Sequence, residues 1–430
     1  VTDLTAGSIA ARGHARRVRV LHTVRVADAA LSSAPVAVLA AGLLAAAIAA
    51  PATALLVRIG HRAGALDSAG AAGHAKVLRR VPNIGGVAIA LAVAAPLAGG
   101  LAVAGLMPPE RLGALAPSLA ASLSRLPEAL APAWAILLGL LAMHAVGVVD
   151  DRRALPALPK LLAQVAVAVG VVLAGDVRAL TLLDAYPGGY ALSAGLTVAW
   201  IVALSNSVNF LDNMDGLAGG VSAIAALALC VAACVAQQWL TAGVLALLVG
   251  ALAGFLVLNA PWTAGRTARI FMGDGGSLVV GFLLAVLAVR IVFVNPSEPG
   301  YALGTSWYGV LAPLVILAVP LYDTTVVTAL RVAQGRRPWV GDDQHFSHRL
   351  VLRGLSRRGA VFVIWALAAI CGVSGLLLGT AAPWQAALIG GQVALVLGTL
   401  AGLERPMLAR LHSEGPPPPG AGAVERRDPP

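Results

Sequence analysis

The chain is a succession of long apolar runs separated by short polar segments that carry most of its charge. A helix needs about 20 apolar residues in a row to cross hydrocarbon with every backbone amide paired internally. Eleven stretches meet that demand: 33–58, 84–106, 131–149, 159–175, 190–205, 217–235, 240–259, 276–294, 307–327, 359–379 and 385–403. The pattern predicts an all-α polytopic membrane protein of about eleven transmembrane helices. Residues 1–32 read as a basic N-terminal extension that need not be ordered. Residues 33–403 read as one transmembrane domain, and 404–430 as a proline-rich cytoplasmic tail. The fifth run is short and passes straight into "SNSVNFLDNMDG". Polar groups at that depth are tolerated only where they line a cavity.

Composition excludes a soluble alternative. Apolar residues make up 59% of the chain and charged residues 12%, against about a quarter charged in ordinary soluble domains. The 48 glycines and few aromatics suit helices packed through small residues better than a barrel. Cys230, Cys234 and Cys371 fall inside apolar runs and read as small hydrophobes, not as disulfide or metal partners.

The net charge of +10 is a topology signal. Lys and Arg gather in the loops after odd-numbered spans, whereas loops after even-numbered spans hold only Arg111, Arg125 and Arg178. Basic loops stay cytoplasmic, so the odd-numbered loops face the cytoplasm and nucleic acid is not an expected partner. Arg12, Arg16, Arg17, Arg19 and Arg25 run against this rule, because it leaves the N-terminus outside.

Acidic residues follow the same sidedness. Asp150 with Asp151, Asp212 with Asp215, Asp274, Asp323, and Asp342 with Asp343 all lie in or beside the odd-numbered loops. A carboxylate near lipid is costly unless paired, hydrated or bound to a cation. Their gathering beside Lys, Arg and His therefore predicts a cytoplasmic-face site for a divalent metal and phosphate.

Four clusters carry this chemistry. In "VGVVDDRRALPALPKLLAQ", Asp150 and Asp151 close the third span and Lys160 opens the fourth. Adjacent helical residues diverge by about 100°, so the two carboxylates should have different jobs. One would serve metal or base chemistry and the other would orient Lys160 or an arginine. In "LSNSVNFLDNMDGLAGG", Asn206, Asn209, Asp212 and Asp215 recur every three residues and suit a hard cation or ribose and base edges, with an inter-helix polar seam as the lesser alternative. In "RTARIFMGDGGSLVVGF", Asp274 precedes a helix N-terminus whose amides suit phosphate; it reads as a magnesium ligand or as a plain N-cap. The longest polar segment, "LYDTTVVTALRVAQGRRPWVGDDQHFSHRLVLRGLSRRG", carries seven arginines. There His345 and His348 lie one turn apart and, with Arg349, suit a diphosphate. Asp323 reads as the anchor of an arginine, and His144 as a packed or locally hydrogen-bonded residue.

Together "DDRRALPALPK", "NSVNFLDNMDGLAGG", "GDGGSLVVGF" and "HFSHRL" resemble the polyprenyl-phosphate sugar-1-phosphate transferases, glycosyltransferase family 4. "HAKVLRRVPNIGGVAI" and "PLYDT" add to the likeness, which covers roughly 50–403. The resemblance implies catalytic roles for Asp150, Asp151, Asp212 and Asp215, and phosphate binding by Lys160, His345, His348 and Arg349. It further implies a nucleotide-sugar pocket at Asn206, Asn209 and Asp215, with Asp274 as the metal ligand. Ser347 departs from the family pattern, since a histidine often stands there.

The implied activity is Mg2+-dependent transfer of N-acetylhexosamine 1-phosphate, GlcNAc-1-phosphate by span number and "PLYDT", from the UDP-sugar to undecaprenyl phosphate. Manganese is allowed as a substitute. The implied products are a lipid diphosphosugar and UMP, initiating a cell-envelope polysaccharide at the bacterial inner membrane. Membrane lipids are further partners, and a homodimer is allowed. Phospho-MurNAc-pentapeptide transfer is the alternative within the family. A secondary transporter is the alternative outside it, although such a protein places its key groups near the bilayer midplane.

Overall fold

The computed structural model describes residues 4–64, 80–115, 126–263, 265–291, 293, 303–304, 306–337 and 345–414, with side chains from residue 34 and up to residue 398. It is an all-α polytopic membrane protein. Helices α1 (Leu4–Ala63), α2 (Gly85–Leu106), α3 (Pro109–Leu115), α4 (Leu126–Arg152) and α5 (Ala157–Gly175) form the first half. Then come α6 (Gly189–Leu211), α7 (Leu217–Val235), α8 (Trp239–Asn259) and α9 (Asp274–Arg290). The remainder is α10 (Ala312–Ile316), α11 (Ala318–Ala333), α12 (Phe346–Leu352), α13 (Arg357–Leu378) and α14 (Pro383–Glu414).

Among the described residues, eight helices are long and apolar enough to cross a membrane, or nine with one bent pair. The expected eleven resolve differently at three places. The span expected over 307–327 is broken by 69° between Trp307–Ile316 and Ala318–Ala333. The span expected at 276–294 is the 17-residue α9, which is short for a full crossing. The last begins α14, whose side chains are described only up to residue 398. Helix α1 begins at Leu4, inside the segment set apart as an extension; Asp342, Asp343 and the tail beyond 414 lie outside the described residues.

The site depends on α9. Every residue from Gly275 to Ala288 is buried, and the helix packs against α2, α4, α6, α7 and α8. A helix apolar on all sides belongs inside a bundle. Its N-terminus is reached by backbone from two neighbours. A Cβ on Gly86 of α2 would lie 2.3 Å from the Gly276 amide nitrogen, and one on Gly147 of α4 would lie 2.3 Å from the Asp274 carbonyl oxygen. Small residues at these crossings bring the polar helix ends together. Between α8 and α9, Phe271 N–H donates to the Pro82 carbonyl at 2.8 Å, while Gly85 and Gly86 N–H donate to the carbonyls of Phe271 and Met272. This clip pins the segment before α2 to the entry of α9.

A methyl group at Gly86 meets backbone, which cannot rotate away. Gly86→Ala should destabilise the protein by about 1–3 kcal/mol and lower the thermal midpoint in detergent. Gly100→Ala, in the same helix with nothing within 4 Å of its Cβ, should be neutral or slightly stabilising. Equal midpoints for the two variants would remove the close-approach account.

Candidate active site

Four helix ends meet around one ammonium group. Lys160, in the first turn of α5, donates to Asp150 Oδ2 at 2.6 Å and to Asp274 Oδ2. The second Asp150 oxygen accepts from the Leu155 N–H at 2.7 Å, which folds the α4–α5 turn back onto the carboxylate. Asn209, near the C-terminal end of α6, donates to Asp274 Oδ1 at 2.9 Å and to Ser277 Oγ at 2.9 Å. Asp150, Lys160, Asn209 and Asp274 are thus one cluster, built from α4, α5, α6 and α9.

Asp151 works differently, as the divergence of adjacent helical residues requires. Its Oδ1 accepts from Asn83 Nδ2 at 3.0 Å and from the Asp274 N–H at 2.9 Å, and its Oδ2 accepts from the Gly275 N–H at 2.9 Å. The carboxylate therefore caps α9 from another helix, where orphan amides and the positive dipole end favour negative charge. Two expectations change here. The α9 amides thought open to phosphate are taken by Asp151, and Asp274 makes no side-chain cap bond, since Gly273 occupies the cap position. His144 Nδ1 meets the Gly275 carbonyl at 2.8 Å, so its hydrogen bond crosses to another helix rather than staying local.

The three-residue rhythm of the second cluster divides on folding. Asn209 reaches the acidic cluster, but Asn206 pairs with the buried Gln164 of α5 and donates to the Val202 carbonyl at 2.8 Å, so it clasps α5 to α6. Asp215 Oδ2 accepts from the Ala268 N–H at 2.8 Å and holds the loop leading to α9. Asp212, half-buried, ends α6. Gly216 has φ +76°, a conformation suited to glycine, and its N–H donates to Asn259 Oδ1 while Asn259 Nδ2 donates to the Ile270 carbonyl. Asn206 belongs to a polar seam between helices and Asn209 to the acidic cluster.

The histidine segment docks on the end of α6. Asp323, fully buried on α11, accepts from the Phe346 N–H at 2.7 Å and faces His345 Nδ1 at 2.8 Å. This corrects its reading as an arginine anchor. His345 meets Phe210 edge-on at 6.3 Å, and Arg331 lies 5.4 Å over the same ring. His348 is half-buried on the first turn of α12, and Arg349 is buried beside it in sequence. Ser347, also buried, donates to Asn213 Oδ1. Asn83, Asn213, Ser277 and Gln164 escaped the sequence reading because their partners come from other helices.

Whether the cluster suits a divalent ion can be judged from its donors. Among the described residues no three His, Cys, Asp or Glu side chains form a metal group. Two carboxyl groups nonetheless share one ammonium, so the cluster has more acidic oxygens than Lys160 alone can satisfy. Magnesium is commonly held by one or two carboxylates plus substrate phosphates rather than by an all-protein cage. Asp150 and Asp274 fit that mode.

Two outcomes follow from these contacts. Asp151→Asn has one acceptor oxygen for three donors and points an NH2 at a helix N-terminus; it should lose about 2 kcal/mol or more of stability, read by thermal unfolding. A variant as stable as wild type would deny Asp151 its capping role. Ser347→His places a ring where a buried hydroxyl holds Asn213, so it should lower both stability and activity. Retained activity would show that the site has room for the ring.

Residues 133–292 match the family model described as glycosyl transferase family 4. The probable undecaprenyl-phosphate N-acetylglucosaminyl 1-phosphate transferase of Bacillus subtilis is 28% identical over 337 residues, covering 77% of this chain and 82% of that protein. The decaprenyl-phosphate N-acetylglucosaminephosphotransferase of Mycolicibacterium smegmatis is 32% identical, over 54% of this chain and 60% of its own length. The phospho-N-acetylmuramoyl-pentapeptide-transferase of Desulforudis audaxviator is 34% identical, over 44% of this chain and 50% of its own. The matched interval contains Asp150, Asp151, Lys160, Asn209 and Asp274, the residues that the helix ends bring together, so the likeness to glycosyl transferase family 4 falls on the candidate site.

Proposed function

We propose that the protein transfers GlcNAc-1-phosphate from UDP-GlcNAc to undecaprenyl phosphate, giving the lipid diphosphosugar and UMP and so starting a cell-envelope glycan. The observation that carries this reading is Lys160 bridging Asp150 and Asp274, with Asn209 on the other Asp274 oxygen. A prenyl lipid arrives from the bilayer and a nucleotide sugar from water, so the chemistry belongs at the polar ends of membrane helices. The basic loops support a site at the cytoplasmic face of the bacterial inner membrane. The choice of GlcNAc rests on the names of the Bacillus subtilis and Mycolicibacterium smegmatis relatives.

In the reaction an oxygen of the lipid phosphate bonds to the β-phosphorus of the UDP-sugar, and the bond from that phosphorus to the bridging oxygen breaks. The electron pair leaves with UMP. One phosphoanhydride replaces another, so alignment and charge stabilisation are the main tasks. Asp150 and Asp274 would hold Mg2+, or Mn2+ in its place, which when bound neutralises diphosphate charge. Lys160 meets phosphate oxygens from its position between the two carboxylates. Asn209 fixes the Asp274 carboxylate through Oδ1. Asp151, Asp212 and Asp215 shape the site from its edge, with Asn206 keeping α5 on α6. His345, His348 and Arg349 bind phosphate from the α12 side.

Purified protein should release UMP from UDP-GlcNAc only when undecaprenyl phosphate and magnesium are both supplied. UDP-GalNAc and UDP-MurNAc-pentapeptide run in parallel decide the sugar. Absence of UMP with every donor, or solute uptake into vesicles without product, would reject the enzyme reading. Asp274→Asn should reduce turnover about 100-fold or more while the protein stays folded, because the amide keeps the volume and removes the charge. Full turnover with an unchanged magnesium requirement would release Asp274 from metal binding.

A further inference from the structure

We propose that Asp323 is a positioning residue: it fixes the ring of His345 and so decides which imidazole nitrogen faces the substrate phosphates. This deepens the transferase reading and rests on it. Asp323 is fully buried on α11, at 0% exposure, yet its two oxygens serve two different groups on the same neighbour. Oδ1 accepts from the Phe346 N–H at 2.7 Å, and Oδ2 faces His345 Nδ1 at 2.8 Å. The first bond anchors the start of α12, and the second sets the ring at its cap position.

A buried carboxylate requires such partners, and two short bonds to consecutive residues leave the ring little freedom. Facing an ionised carboxylate, which can only accept, Nδ1 carries a hydrogen; Nε2 then takes up a proton when bare, or donates to a phosphate oxygen in the imidazolium that the carboxylate stabilises. The ring is also fixed from the side. Phe210 meets it edge-on, and Phe210 follows Asn209, whose amide holds the Asp274 carboxylate. One residue of α6 thus separates the histidine from the acidic cluster. Ser347 adds a second tether through Asn213, three residues further along the same segment. The orienting carboxylate comes from α11, just beyond the break near Leu317, so the second half of the bent pair has a part in the site.

Asp323→Asn is the informative change. If its oxygen stays on the Phe346 N–H, its NH2 faces Nδ1 and forces the hydrogen onto Nε2, the opposite tautomer. If the amide flips, the Phe346 bond is lost instead. With 15N-histidine-labelled protein in detergent, the signal absent from His345→Ala should show an Nδ1–H ring in wild type and a shifted tautomer in Asp323→Asn. This readout needs no turnover, so it stands even if the transferase reading fails. In the UMP assay, Asp323→Asn should lower kcat about 100-fold with a folded protein. On the His345→Ala background the same change should cost less than about 3-fold, because both act through one ring. Should Asp323→Asn unfold the protein, Asp323→Glu, which keeps the charge, should retain the wild-type tautomer. An unchanged His345 signal in Asp323→Asn, or an equal kcat loss on both backgrounds, would overturn the proposal.

Discussion

The carboxylate of Asp151, held by Asn83 and two α9 amides, is the constraint on which the rest of the site depends. A helix N-terminus buried among other helices has unpaired amides that nothing in hydrocarbon can satisfy. Here a neighbouring helix supplies the acceptor, and in doing so it fixes where α4 ends relative to where α9 begins. Asp150 and Asp274, adjacent to the two halves of that contact, are thereby brought to the same lysine. Exchange of polar bonds between helix ends sets the geometry of the acidic cluster, and apolar packing alone would leave it free to slide.

Glycine makes this contact reachable. Gly86, Gly147, Gly275 and Gly276 let three backbones approach more closely than any side chain would allow. In lipid there is no hydrophobic gain from pressing helices together, so close packing and interhelical hydrogen bonds must do that work. The same residues that stabilise the bundle therefore also place the polar site. Lys160 contributes on both counts: its ammonium is shared by two carboxylates from different helices and offsets their mutual repulsion.

Much of this was legible in the chain, and the limits have a physical cause. Runs of apolar residues mark the helices because bilayer thickness imposes a length, yet they do not report a break such as that near Leu317, which lies inside one continuous run. The acidic cluster was legible because carboxylates at membrane depth demand partners. The division of labour between Asp150 and Asp151 was half legible: helical geometry forbids a shared target, but only tertiary packing says which one meets Lys160 and which one caps α9. Asn206 and Asn209 look equivalent on a helical wheel. They differ because one faces Gln164 and the other Asp274, and neither partner is a neighbour in sequence.

The two halves of the site are held with different firmness for the same reason. The acidic half rests on α9, buried on every side, and on backbone contacts that cannot rotate. The histidine half is carried by a seven-residue helix, α12, which is too short to be stable alone and takes its geometry from Asp323, Phe210 and Asn213. Phosphoryl transfer between a soluble donor and a membrane-bound acceptor needs both properties. In the transferase reading, metal and phosphate would meet a preorganised set of charges, while two substrates of different size enter and two products leave. A rigid acidic floor and a short helix tethered by side-chain bonds to the end of α6 meet those demands with separate elements.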